Sequence, residues 1–152
     1  APKESEHKQY EKGKQTIDTF YQNLPAIKKL KDQVESTLSN RDYLIGIDGR
    51  HLQIRSKHSA LNQLLQSTGA ITVKKATTIL YDDMTDKGLK FFKDWGFVAH
   101  VHDEYQCLLR PEYTDLFQKL AIDSFRKSGE YFKLKCPLTG EAKIGKNWCE
   151  TH

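Results

Sequence analysis

The sequence predicts an α+β fold, with antiparallel hairpins packed on long helices. Three observations point there. Asp48-Gly49 separates two short apolar runs, residues 43–47 and 50–54, a strong short-range hairpin signal. A second pair of apolar strands brackets the acidic tip His102-Asp103-Glu104 within residues 97–109. Around these hairpins, apolar residues recur at helical spacing.

Residues 1–24 read as a charged amphipathic helix, with Tyr10, Ile17, Phe20, Tyr21 and Leu24 near helical spacing. Pro25 has no N–H and breaks or restarts it. A second helix over residues 26–38 carries Ile27, Leu30, Val34 and Leu38 on one face, and Ser39-Asn40 ends it. In the first hairpin, a two-residue Asp48-Gly49 turn requires positive φ at both residues. Ser56 or Ser59 then caps a long helix reaching about Asp86. Leu61, Leu64, Leu65, Ile71, Ala76, Ile79, Leu80 and Met84 form its buried side. Gly69 weakens this helix, so a close approach of backbone or ligand is expected there. After the acidic hairpin, both strands of which read as buried, Pro111 opens another helix with Leu116, Leu120, Ala121 and Phe125 on its core face. Phe132, Leu134 and Cys136 alternate with charged residues and read as a half-buried strand.

The 152 residues favour one domain with a sizeable core. Hydrophobic content of 38% and charged content of 29% exclude a disordered chain. No apolar run approaches the roughly 20 residues of a membrane span, and residues 1–6 lack the apolar core of a signal peptide. A cytoplasmic location is the resulting expectation. Cys107, Cys136 and Cys149 fit neither a disulfide framework nor a paired-cysteine zinc site, so they read as reduced structural thiols. The net charge of +4 is compatible with a nucleic-acid partner.

Two adjacent carboxylates between apolar strands are out of place as packing, because an unpaired buried carboxylate costs several kcal/mol. A nearby cation or metal resolves that cost. Mg²⁺ takes hard oxygen ligands, retains waters, and needs only one or two carboxylates plus substrate phosphates. Asp103 reads as the direct ligand and Glu104 as an occasional or water-mediated one. The same pattern also fits a hairpin turn whose acids face solvent. A metal phosphohydrolase built on the His-Asp pair is a third option, supported by a single cluster.

On the long helix, His58, Asn62 and Gln66 recur every four residues and share one polar stripe. Carboxamides there can donate to minor-groove acceptors that A·T and T·A pairs share, so contact need not read sequence. A solvated helix face is the alternative. Arg55, Lys57, Lys74 and Lys75 can add phosphate contacts or serve only as solubility charges. Asp82-Asp83 reads as solvated surface, and His7, His51 and His100 as structural or exposed.

Taken with their surroundings, these residues resemble a known family. Val101-His102-Asp103-Glu104 resembles motif C of the family A DNA polymerases, which include bacterial DNA polymerase I and the replicative polymerases of short-tailed phages. Ile47-Asp48-Gly49-Arg50 resembles the hairpin tip before that family's long palm helix. Residues 62–70 resemble the helix itself, with its Asn and Gln four apart. Gly145-Lys146-Asn147-Trp148 and His152 resemble the closing segment, and Asn23-Leu24-Pro25-Ala26-Ile27 is similar to the phage branch.

The resemblance implies a partial polymerase palm: residues 1–42 as helices from the rear of the fingers, residues 43–152 as the palm half with motif C. It assigns Asp103, with Glu104 beside it, to a two-metal Mg²⁺ site. It gives His102 a primer contact, Gln66 and Asn62 minor-groove contacts, and His58 and His152 places near the DNA. Arg55 joins them as a phosphate contact. The partners implied are a DNA primer-template, a deoxynucleoside triphosphate, and a second polypeptide carrying motifs A and B, which residues 1–152 lack. Template-directed nucleotidyl transfer by a complemented enzyme, inactive as this chain alone, is the expected function. A non-catalytic nucleic-acid-binding module derived from a polymerase is the alternative. Surfaces left uncovered predict self-association, and the setting implied is a phage-infected or bacterial cytoplasm.

Overall fold

The computed structural model describes residues 2–101 and 103–151. The chain divides into two compact units. One takes the chain through Leu44 together with His51–Leu64; the other takes Ile45–Arg50 and everything from Leu65 onward.

Proline sets the first two helices apart. Helix α1 (Pro2–Asn23) stops before Leu24, and α2 (Pro25–Thr37) carries Pro25 in its first turn, where the missing N–H is not needed. Val34 and Leu38 are buried with Leu44 and Ala60, and Leu52, Ile54, Leu61 and Leu64 pack against them. That cluster is the core of the first unit.

Strands β1 (Tyr43–Ile45) and β2 (His51–Gln53) pair as the expected hairpin, but its turn differs. The Gly49 N–H donates to the Gly46 carbonyl at 2.9 Å, and the Gly46 N–H donates to the Arg50 carbonyl at 2.8 Å. Gly49 has φ +84°, whereas Asp48 is not among the positive-φ residues. A four-residue turn with a glycine bulge therefore replaces the two-residue turn expected from Asp48-Gly49. Asp48 gains from this: it accepts the Arg50 main-chain N–H at 3.4 Å and the guanidinium Nε at 2.7 Å.

Helix α3 (Ala60–Asp86) runs unbroken through Gly69. A 3₁₀ turn, Lys57–Ser59, precedes it. Neither expected serine cap forms there: Ser56 makes no side-chain cap bond, and the Ser59 hydroxyl donates back to the Ser56 carbonyl at 3.0 Å. Leu65 is 55% exposed instead of buried. Helical spacing says which residues share a face, not whether another element covers it. At the far end, Gly88 (φ +82°) donates to Thr85 and Leu89 donates to Met84, closing the helix with a left-handed residue.

Strands β3 (Trp95–Val101) and β4 (Glu104–Leu109) are antiparallel, with Trp95 opposite Leu109 and Phe97 opposite Cys107. A bulge between Phe97 and Ala99 then shifts the phase, so His100 faces Tyr105 and Val101 faces Glu104. Only one sheet face is buried, not both as the apolar run suggested. Phe97, Tyr105, Cys107 and Leu109 pack against the buried cluster of Leu80, Met84, Leu89, Trp95, Phe117 and Ala121, while Val98 and Leu108 stay exposed.

Helix α4 (Thr114–Tyr131) follows a 3₁₀ turn that Pro111 opens. Its buried residues include two serines, Ser124 and Ser128, that sequence periodicity did not mark. Lys127 on α4 donates to Asp83 on α3 at 2.7 Å, so Asp83 is a cross-helix partner rather than the solvated acid expected. The strand expected around Phe132, Leu134 and Cys136 is absent among the described residues. Instead Lys133 takes φ +55°, its N–H bonds to Glu130 and that of Leu134 bonds to Gly129. This left-handed helix ending breaks the alternation a strand needs. Helix α5 (Trp148–Thr151) is a single turn. All three cysteines are free, as expected, but Cys136 and Cys149 are exposed, so only Cys107 fits the reading of a structural thiol. Among the described residues, no helix is long and apolar enough to cross a membrane.

Candidate functional site

Val101 pairs with Glu104, so Asp103 lies immediately ahead of β4 in the connection from β3. Strand pairing on both sides therefore fixes where Asp103 sits, and Asp103 is exposed there. His102 lies outside the described residues.

Glu104 opens β4 and is half-buried. Strand periodicity puts Gln106 on the same face. The Gln106 Nε2 donates to Glu104 Oε1 at 3.3 Å, and the Thr151 hydroxyl donates to Gln106 Oε1 at 3.3 Å. A side-chain chain thus links Glu104 to α5. The loop before α5 is tight as well. Lys146 N–H donates to Glu150 at 2.9 Å, and a Cβ on Gly145 would lie 2.6 Å from the Glu150 Cβ, so only glycine fits.

Asp103, Glu104, Gln106 and Thr151 share the lining of a cavity of about 750 Å³ with Gly69 and Thr72 of α3. A Cβ at Gly69 would meet nothing within 4 Å. The close approach expected at Gly69 is therefore not made by this chain itself; the helix backbone there opens onto the cavity. Cys107 also lines the cavity, and burial pushes its thiol up to about 12. It is a packing thiol, not a nucleophile.

The polar stripe is partly rearranged. Asn62 and Gln66 are exposed on α3 four residues apart, as expected. His58 is exposed but sits in the 3₁₀ turn, where each residue turns about 120° rather than about 100°, so its place in the stripe changes. Arg55 is exposed ahead of that turn. Arg55, His58 and Asn62 belong to the first unit, Gln66 and Asp103 to the second. Gln66 does not line the cavity, and His152 lies outside the described residues. Two residues at the site escaped sequence reasoning. The two-residue spacing from Glu104 could have found Gln106; nothing in the sequence marks Thr151.

Asp103 and Glu104 supply hard carboxylate oxygens. Among the described residues, no third His, Cys, Asp or Glu joins them in a metal-sized group. The donor set fits Mg²⁺ that takes its remaining ligands from water and phosphate oxygens.

Residues 4–150 match the model of DNA polymerase family A. The chain belongs to that family. It is 34% identical over 159 residues to a DNA-directed DNA polymerase of Enterobacteria phage T3, an alignment covering 93% of this chain and 23% of that protein. The corresponding enzyme of Escherichia phage T7 is 33% identical, with the same coverage. DNA polymerase I of Aquifex aeolicus is 25% identical over 86% of this chain and 22% of its own length. The chain thus spans under a quarter of these relatives. Among solved structures, the POL domain of Pol1 from M. smegmatis, in complex with DNA primer-template and dNTP, superposes with a TM-score of 0.68 at 17% identity, covering 78% of this chain and 22% of that one. The α+β arrangement of two hairpins and long helices is thereby a family A polymerase fold.

Proposed function

We propose that this chain contributes one side of a DNA-directed DNA polymerase active site. The observation that carries the reading is Asp103 exposed immediately ahead of β4, with Glu104 beside it, in a family A polymerase chain. Asp103 would hold Mg²⁺, with Glu104 as an adjacent or water-mediated ligand. Bound there, Mg²⁺ would neutralise charge on the attacking and leaving oxygens of phosphoryl transfer. The chain's own residues would orient this side of the site. The hairpin keeps Asp103 at a fixed height, and Gln106 orients the Glu104 carboxylate. Asn62 and Gln66 present carboxamide donors to the minor groove, with His58, His102 and His152 close to the primer-template and Arg55 on a phosphate. The second aspartate and the nucleotide-binding helix come from residues outside 1–152, on this polypeptide or a partner.

The reaction so assembled joins the primer 3′-hydroxyl to the α-phosphate of a deoxynucleoside triphosphate and releases pyrophosphate. Primer extension by this chain mixed with a fragment carrying the upstream motifs tests it. Extension that disappears with Asp103→Ala is expected. No extension, or extension indifferent to Asp103→Ala, overturns the catalytic reading; salt-dependent duplex binding without extension supports a non-catalytic binding module instead. Exposed Phe20, Ile17, Val98 and Leu108 favour association with a partner or a second copy. A monomer by light scattering across micromolar concentrations contradicts self-association.

A further inference from the structure

On a different side of α3 from the acidic turn lies a second cleft, of about 690 Å³. Arg50 and Asp48 of the β1–β2 turn, Lys74 and Lys75 of α3, and Tyr131 and Lys133 at the end of α4 line it. At about 100° per residue, the direction midway between Lys74 and Lys75 lies roughly 140° around α3 from the mean direction of Thr68, Gly69, Thr72 and Val73, which line the Asp103 cavity, while Lys75 itself is only about 20° from Thr68. The two sites share α3 and centre on different sides of it, meeting at Thr68 and Lys75.

The cleft is strongly cationic. Asp48 is its one carboxylate, and Arg50 already engages it at 2.7 Å. Among the described residues, no ion pair involves Lys74, Lys75 or Lys133. Lys133 is held in a left-handed conformation that glycine adopts without penalty. That residue closes α4 and lies in the lining of the cleft. Tyr131 is 63% exposed, with the Lys75 ammonium 4.2 Å from its ring centre.

We propose that this cleft binds the sugar-phosphate backbone of a nucleic-acid single strand. The cations come from three separate elements, which suits a ligand carrying several anionic groups rather than one. An exposed aromatic ring among them supplies a stacking surface for a base, which an acidic peptide does not require. The site does not depend on catalysis at the acidic turn.

The test is fluorescence anisotropy of a labelled oligothymidylate with the full chain, across a range of KCl. Combining Lys74→Gln, Lys75→Gln and Lys133→Gln should weaken binding at least tenfold at low salt and reduce the log–log salt slope by about two. A control of equal charge, Lys87→Gln with Lys90→Gln and Lys119→Gln, should change affinity less than twofold. Tyr131→Ala should weaken binding at high salt, where stacking outlasts screened charge. Amide shifts in the wild-type chain should cluster at residues 74, 75, 131 and 133, which keeps the test valid if the triple variant does not fold. Four outcomes overturn the proposal: no binding at low salt, equal losses in cleft and control variants, amide shifts elsewhere, or polyglutamate competing equally while Tyr131→Ala has no effect. The last marks an acidic-protein surface.

Discussion

The Ser128 hydroxyl on α4 donates to the main-chain carbonyl of Thr72 on α3 at 2.7 Å, with both residues buried. A polar bond in that position fixes the two helices laterally, because losing it leaves the hydroxyl desolvated without a partner. Ser128→Ala removes donor and hydroxyl together and should cost about 1 kcal/mol. Thermal unfolding should show a midpoint lower by a few degrees. An unchanged midpoint means the bond contributes nothing net.

Lys133 closes α4 in a left-handed conformation. Lys133→Gly should raise stability by about 1 kcal/mol, since glycine lacks the Cβ that clashes there. Lys133→Ala keeps the Cβ and should not. Urea unfolding of the two variants separates backbone relief from loss of charge. On the cleft proposal, Lys133→Gly is also the variant that gains stability while losing affinity for single strands.

Burial raises the Cys107 thiol from 9.0 and the Tyr105 phenol from 10.0, each to about 12. The unfolded chain therefore loses these protons at lower pH than the folded chain. Stability from this source is complete below about pH 9 and falls as pH rises toward 12. Melting temperature should drop across that window, and less so in Cys107→Ala. At pH 8, a thiol reagent should modify the exposed Cys136 and Cys149 and leave Cys107 unmodified until denaturant is added. Fast labelling of Cys107 in the native chain is the contrary result.

Gln106 and Thr151 connect Glu104 to the last turn of the chain. Groups that orient a metal ligand typically change affinity roughly tenfold or more when removed. Gln106→Leu should weaken Mn²⁺ binding by about that factor, read by electron paramagnetic resonance of free Mn²⁺. Thr151→Val should weaken it less, and Asp103→Ala should remove it. Mn²⁺ affinity unaffected by Gln106→Leu would show that the bond does not orient Glu104.

Much of the fold was legible from local chemistry. Pro25 and Pro111 fixed helix starts because a residue without an N–H fits only a first turn. The paired strands around residues 102 and 103 followed from apolar runs interrupted by acids. Where reading failed, a tertiary or cooperative choice had intervened. Asp48 took up Arg50 instead of a left-handed turn position. The residues after Phe132 closed a helix instead of extending a strand.

The acidic turn, its two carboxylates and the family-like order of segments around it belonged to the sequence alone, because hairpin and helix signals act over a few residues. Only the tertiary structure decided that Asp103 and Glu104 border a cavity with Gly69 and Thr72, that Thr151 reaches Gln106, and that Arg50, Lys74, Lys75 and Lys133 share one cleft. Those residues are tens of positions apart. No local propensity reports the packing of α3 against α4 and the sheet that brings them together.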